Sequence, residues 1–301
     1  RGCSRRPISA ISDDLRVSGG TVLLAVAILA GVGIVFAGLI ALTHRKFKVW
    51  EDPRIEVVAG MLPGANCGAC GQPGCRAFAE LLVGGSVQPG GCNVMSDEQI
   101  SGVAGYLGVE AGAVNRRVAR LLCAGRRDVT VQQADYQGLT TCKAAAAVAG
   151  GGKGCTWGCL GYGDCAVACD FDAIVMNAQE LPVVSLTKCT ACGDCVDACP
   201  KDLFAIMPIE HQLIVQCRSL LEGDAIQAMC RVACTGCGKC VVDAAPGLIQ
   251  ITNGLAVVDY EKHALATLAA TARCPTGAIV WVEGAQFQPL RHSEPLEMAV
   301  A

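Results

Sequence analysis

Aromatic side chains are scarce in this chain of 301 residues, at 4 %. A large aromatic-rich core is therefore excluded, and something else must hold its folded part together. Net charge is only −3, which gives no footprint for a nucleic acid partner. There is no G-x-G-x-x-G fingerprint for a dinucleotide. Gly150-Gly-Gly-Lys-Gly154 resembles a phosphate loop only superficially. Ala147 stands where the loop's first glycine belongs, and Gly154 where Ser or Thr is needed. The four histidines, His44, His211, His263 and His292, are scattered without a catalytic partner pattern, and no Cys-x-x-Cys-His haem signature occurs. Hydride, flavin and haem chemistry are thus not expected within this chain. No catalytic residue is assigned.

What the chain has instead is cysteine, 21 residues of it. Such enrichment means either a disulfide scaffold or metal thiolates. Spacing favours metal. Cys189-Thr-Ala-Cys192-Gly-Asp-Cys195-Val-Asp-Ala-Cys199-Pro200 is the C-x2-C-x2-C-x3-C-P run of bacterial iron–sulfur proteins. Thiols so close together suit one cluster better than a disulfide network. Reduced thiols place this part of the chain in the cytosol.

Residues 17–43 carry no charge, and 21–42 are apolar almost throughout. As a helix at about 1.5 Å per residue this core reaches roughly 33 Å, enough to cross a bilayer. Gly31, Gly33, Ala37 and Gly38 offer a small-residue face for another helix. The run exceeds a secretory h-region, and His44-Arg-Lys-Phe-Lys48 follows it as a stop-transfer flank. Arg1, Arg5, Arg6 and Arg16 balance Arg45, Lys46, Lys48 and Arg54, so charge leaves the orientation open. The need for reduced thiols turns the C-terminal portion to the cytoplasm. The chain begins at Arg1 rather than Met, from which a trimmed start is expected.

A first module follows, Pro63-Gly-Ala-Asn-Cys67-Gly-Ala-Cys70-Gly-Gln-Pro-Gly-Cys75, closed by Cys92. The spacing is C-x2-C-x4-C-x16-C. Residues 76–83 read as a helix that returns the chain toward Cys92, and Ser96-Asp-Glu-Gln99 as a capping box. A zinc site also uses four cysteines, but usually as two C-x2-C knuckles, and here there is one.

Beyond it the cysteines repeat. Cys142, Cys155, Cys159, Cys165 and Cys199 recur 75 residues later as Cys217, Cys230, Cys234, Cys240 and Cys274. In two-cluster ferredoxins the first three cysteines of a motif hold one cluster and the fourth crosses to the other. Copy one then gives Cys169, Cys189, Cys192 and Cys195 as one set. Its first motif is irregular: Tyr162 occupies the middle cysteine position, and Asp170 the usual proline. Cys155, Cys159, Cys165 and Cys199 are assigned together, with Cys142 as a substitute for Cys155 that the sequence leaves open. Copy two keeps Cys234, Cys237, Cys240 and Cys274. Ala244, Ala264, Thr267 and Ala270 replace the other four ligands, so one cluster has vanished whole. Four [4Fe–4S] clusters are expected. Short strands should flank both copies, 172–176 with 181–186 and 248–251 with 256–260, the latter pair joined at Asn253-Gly254. Cys3, Cys123, Cys142, Cys217 and Cys230 are otherwise unassigned, as buried thiols or with a role shared by repeat equivalents.

The architecture expected is α+β and multidomain: an N-terminal segment (1–16), a transmembrane helix with basic flank (17–48), a four-cysteine module (49–111), a two-cluster ferredoxin-like domain (112–210), a one-cluster degenerate repeat (211–283) and a tail (284–301). Pro63-Gly-Ala-Asn-Cys-Gly-Ala-Cys, Tyr136-Gln-Gly-Leu-Thr-Thr-Cys142-Lys-Ala-Ala and Gly158-Cys-Leu-Gly-Tyr-Gly-Asp-Cys165 resemble signatures of the RnfB family of Rnf complexes, over roughly residues 20–283. The resemblance implies an iron–sulfur relay in the bacterial cytoplasmic (inner) membrane. Its partners would be integral-membrane and flavin-bearing subunits and soluble ferredoxin, in a complex coupling ferredoxin–NAD electron transfer to sodium or proton pumping. Asp170 and the missing cluster depart from that pattern and imply a shorter relay. A relay in a membrane hydrogenase or quinone-linked complex, and a non-catalytic scaffold or sensor, are the competing readings.

Overall fold

The computed structural model describes residues 19–47 and 51–287. Cys3, the N-terminal arginines, Lys48 and most of the tail lie outside them. Two compact units divide between Pro53 and Arg54.

The first unit is helix α1 (Gly19–Lys46), whose segment Val22–Lys46 has a mean hydropathy of 2.8. Its large apolar side chains are exposed all round: Leu23, Leu29, Ile34 and Ile40 are each more than half exposed. A helix apolar on every face suits lipid, not water. Its one hydroxyl near the basic end, on Thr43, donates to the carbonyls of Leu39 and Ile40 at 2.9 Å, so it is satisfied within the helix. His44, Arg45 and Lys46 close the last turn, where cations suit the helix dipole.

The second unit opens with α2 (Pro53–Met61), α3 (Cys75–Val83) and α4 (Asp97–Leu107). These helices bury Val58, Phe78, Ala79, Leu82, Ile100 and Val103 together. The capping box of α4 is present: Gln99 N–H donates to Ser96 Oγ at 3.2 Å, and Ser96 N–H to Gln99 Oε1 at 3.0 Å.

The remaining elements are short: β1 (Arg117–Leu121), α5 (Cys142–Ala147), α6 (Asp164–Val167), β2 (Ile174–Met176), β3 (Pro182–Val184), α7 (Asp194–Ala198), β4 (Phe204–Pro208), β5 (Leu213–Val215), α8 (Gly223–Gln227), α9 (Lys239–Asp243), β6 (Ile249–Thr252), β7 (Leu255–Val258), α10 (Ala269–Ala272) and β8 (Ile279–Trp281). Among the described residues the strands form four antiparallel ribbons of two, β1–β4, β2–β3, β5–β8 and β6–β7. Hairpins β2–β3 and β6–β7 fall where the sequence places them, the second turning at Asn253-Gly254, both at positive φ. Ribbons β1–β4 and β5–β8 were not foreseen. They pair residues far apart in sequence, such as Leu121 with Phe204 and Val215 with Ile279.

These outer ribbons bracket each copy and align the two. Leu122 N–H donates to Leu203 O at the exit of β1, and Gln216 N–H to Ala278 O at the exit of β5. Cys123 and Cys217 each come two residues after their strand ends, at Leu121 and Val215. They therefore hold equivalent places in the fold, which the 75-residue offset conceals. Cys142 follows Leu121 by 21 residues, whereas Cys217 follows Val215 by 2. The extra segment in copy one runs between the copies. Val131 N–H bonds Met229 O, Arg231 N–H bonds Val129 O, and Gly154 N–H bonds Val131 O, at 2.8–2.9 Å.

Of the four positions where copy two lacks a cysteine, Ala270, equivalent to Cys195, is 1 % exposed in the copy-two core and Ala244 packs against that core, while Ala264 and Thr267 are exposed.

Candidate metal centres

The cysteines of the second unit fall into five groups. In the first, Cys67, Cys70, Cys75 and Cys92 line one cavity of about 360 Å³. Asn66, at φ 47°, accepts the Cys75 N–H on Oδ1 at 2.8 Å and so locks the loop against α3. Group II gathers around Cys195 on α7. Its thiol is pushed up to about 12, first by burial and then by the sulfurs of Cys189, Cys192, Cys165 and Cys169. Ala173 N–H reaches Cys169 Sγ at 3.4 Å.

Group III departs from the sequence assignment. Its cavity, of about 370 Å³, is lined by Cys142, Cys159, Cys165 and Cys199, and Cys155 is not among them. The reason lies at Tyr162. With the middle cysteine missing, the fourth sulfur has to arrive from elsewhere, and α5 delivers it. The Asp164 carboxylate at the start of α6 accepts the N–H groups of Cys142 and Lys143 at 2.8 and 3.0 Å, which fastens the N-terminus of α5 beside the motif. Cys165 is pushed up to about 12 by burial and then by Cys142 and Cys199.

Cys155 belongs to group IV. It lines a cavity of about 310 Å³ with Cys123, Cys217 and Cys230, three residues that motif spacing leaves unassigned. A signal was present, since cysteines that recur between repeats yet fit no motif need a partner. In group V, Cys234, Cys237, Cys240 and Cys274 line about 340 Å³. Burial raises the Cys274 thiol, but the N–H groups of Ile279, Thr276 and Ala278 and the Thr276 hydroxyl outweigh it and hold the thiol below its usual range. Cys237 is the exposed cysteine among those described.

The groups adjoin in a row. Asn93, next to Cys92, donates to Thr190 O at 2.9 Å and Arg117 O at 3.1 Å, joining I to II. Helix α6 carries Cys165 of III and leads to Cys169 of II; α7 carries Cys195 of II and leads to Cys199 of III. Cys159 N–H donates to Cys123 Sγ at 3.4 Å, joining III to IV. The N–H and the sulfur of Cys234 both act on the Cys217 thiol, which sets IV beside V.

This donor set fits polynuclear clusters. Among the described residues no three His, Cys, Asp or Glu side chains close on a point where one ion could sit; the thiols ring cavities instead. Backbone N–H groups point at sulfur, as iron–sulfur thiolates require. Arg120, 2 % exposed, has an unpartnered Nε and the Cys189 sulfur as its charged neighbour. A buried guanidinium needs an anion, and an all-thiolate cluster is one.

Known proteins agree. The family model described as "Putative Fe-S cluster" matches residues 62–94, and that of the "4Fe-4S binding domain" matches 182–203. The chain is 40 % identical to the B subunit of the Na(+)-translocating ferredoxin:NAD(+) oxidoreductase complex of Acetobacterium woodii, over 80 % of this chain and 72 % of that protein. It is 37 % identical to the B subunit of the ion-translocating oxidoreductase complex of Methanosarcina acetivorans, over 85 % and 96 %. With the B subunit of the proton-translocating ferredoxin:NAD(+) oxidoreductase complex of Clostridium ljungdahlii it shares 35 % identity, over 91 % and 98 %. With one apolar helix, mixed short helices and strands, and iron–sulfur domains that carry electrons for an oxidoreductase, the chain belongs to the RnfB family of the ion-translocating Rnf complexes.

Proposed function

We propose that this protein is the membrane-anchored iron–sulfur relay of an ion-translocating ferredoxin:NAD oxidoreductase. It takes single electrons from soluble ferredoxin on the cytoplasmic side and passes them to membrane and flavin-bearing subunits. The carrying observation is the row of cysteine groups within one unit, each adjoining the next through a hydrogen bond, a shared helix or neighbouring sulfurs. Four ligand sets serve as the frame: Cys67, Cys70, Cys75, Cys92; Cys169, Cys189, Cys192, Cys195; Cys142, Cys159, Cys165, Cys199; and Cys234, Cys237, Cys240, Cys274. When bound, cubane clusters supply one-electron chemistry with little rearrangement.

The residues around them hold and tune. N–H groups on sulfur and the Arg120 charge raise the potential of a neighbouring cluster, because each stabilises the more negative, reduced form. The exposure of Cys237 supports the copy-two end as first acceptor, since an outside donor must come close to its target. Along this order the reading takes 49–111 as the module, 112–210 as the full ferredoxin pair and 211–283 as the repeat with a single remaining site. Reduction of the anaerobically purified chain by ferredoxin tests the reading. Optical bleaching and low-potential EPR signals are the expected result. Iron below about twelve per chain, at four per cluster, or no reduction by ferredoxin, overturns it.

A further inference from the structure

Group IV is built as carefully as the other four, and by both repeats alike. Cys123 and Cys217 leave equivalent strand ends, and Cys155 and Cys230 are equivalent by the 75-residue offset. The backbone bonds to the sulfurs repeat as well. Gly125 N–H, two residues on, donates to Cys123 Sγ at 3.3 Å, and the N–H groups of Trp157, Ser219 and Val232, each two residues on, favour the thiolates of Cys155, Cys217 and Cys230 in the same way. The N–H of Cys159 donates to Cys123 Sγ at 3.4 Å. A buried thiol acting as a small hydrophobe would not need two N–H donors, as Cys123 has.

The cavity itself, about 310 Å³, is close in size to the 340–370 Å³ of groups I, III and V. All four of its cysteines are buried. A cation lies beside it. Lys153 is 9 % exposed, and its ammonium donates to the carbonyls of Gly125 and Cys159, with the sulfurs of Cys155, Cys159 and Cys230 around it. A buried ammonium without a compensating anion is costly, and an anionic cluster in this cavity supplies one. Gly125 completes the wall: a Cβ there would stand 3.3 Å from Cys123 Sγ and 3.6 Å from Cys230 Sγ.

We propose that Cys123, Cys155, Cys217 and Cys230 hold a fifth [4Fe–4S] cluster, shared between the two repeats, that carries electrons from the copy-two cluster to those of copy one. Each transfer is a single electron. The cluster of Cys234, Cys237, Cys240 and Cys274 is oxidised by one as the shared cluster is reduced by one, and the shared cluster then reduces that of Cys142, Cys159, Cys165 and Cys199. No bond or proton changes place. Loss of one copy-two cluster therefore does not shorten the relay, because the shared site joins what remains. The assignment of this site stands apart from the donor; its place in the relay rests on the function proposed above.

The test uses the full chain purified anaerobically in detergent. Iron and acid-labile sulfide should each approach about twenty per chain rather than about sixteen, at four of each per cluster. Cys155→Ala and Cys217→Ala should each lower iron to about sixteen and delete the same EPR component, and combining them should remove no more. In either variant, reduction beginning from ferredoxin should stop at the copy-two cluster. About sixteen irons in the unaltered chain, zinc in place of the missing iron, or full cluster content in Cys217→Ala overturns the proposal. The unaltered chain decides by itself if a variant fails to fold. Sixteen irons with normal reduction by ferredoxin sinks the shared cluster and keeps the relay. Twenty without reduction keeps the site and sinks the donor.

Discussion

A cysteine at position 162 should stand in for Cys142, and a rescue experiment tests this. In copy two, Cys237 occupies the position of Tyr162. Gly236 and Gly238 flank it at φ 68° and 71°, and Gly161 and Gly163 flank Tyr162 at 80° and 81°. Only glycine adopts such angles readily, so the two loops share one backbone path. A sulfur placed at position 162 should point into its cavity as that of Cys237 does. Cys142→Ala should therefore cost group III between about one iron, leaving a three-iron cluster, and about four, with the whole cluster gone. Adding Tyr162→Cys to that variant should restore the four-iron form. Removing the phenol ring breaks its edge-to-face contact with Tyr136, at 5.8 Å between centroids, so the rescued chain should be less stable by about 0.5–1.5 kcal/mol. Iron and sulfide analysis with EPR of the reduced protein reads the first effect, and anaerobic thermal melting the second. Full iron in Cys142→Ala, or no recovery on adding Tyr162→Cys, refutes the reasoning.

Three further outcomes are expected. Arg120→Leu removes a buried cation beside Cys189 and should make the potential of the Cys169/Cys189/Cys192/Cys195 cluster more negative, on the order of 50–100 mV, in an EPR-monitored redox titration. Gly90→Ala puts a Cβ 2.9–3.0 Å from the carbonyl oxygens of Ala111, Gly112 and Ala113; it should destabilise the first module by about 1–3 kcal/mol and loosen iron at Cys92, with the other clusters intact. Chelating the iron should abolish the strand signal in circular dichroism but spare α1, because two-stranded ribbons of three to five residues do not stand without their clusters.

What the sequence disclosed was whatever is local. The span, the Ser96–Gln99 capping box, α3 and the hairpin at Asn253-Gly254 each follow from a dozen residues or so of pattern, and the structure has them. Motif spacing likewise grouped Cys67, Cys70, Cys75 and Cys92 as the first cavity does. What it concealed was long-range. Ribbon β1–β4 joins Arg117 to Pro208, strands more than 80 residues apart in sequence with no connecting turn between them. Without that ribbon Cys123 has no visible counterpart. The inserted segment of copy one pushes Cys142 into the register of Cys217, so the offset pairs two cysteines that line different cavities. Cys155 is hidden for the same reason: its spacing from Cys159 resembles a motif, while the cavity it lines draws Cys217 and Cys230 from the other copy.

The two copies show how a duplicated ferredoxin can diverge without leaving a half-built cage. Each site needs four sulfurs, and a thiol stranded in a buried cavity contributes little without its metal. In copy one Tyr162 stands at the middle cysteine position, and Cys142 from the N-terminus of α5 lines the cavity with the other three cysteines. Copy two kept the middle ligand, Cys237, so the cysteine in the Cys142 register, Cys217, was free to face the other copy. At its second site all four cysteines are absent together, and Ala270 there is buried in the apolar core. Losing one sulfur of four would leave neither a cluster nor a packed core. The same reasoning bears on group IV. Cys123, Cys155, Cys217 and Cys230 remain as a complete set of four drawn from two copies, the pattern expected where a cluster, and not chance burial, is what keeps them.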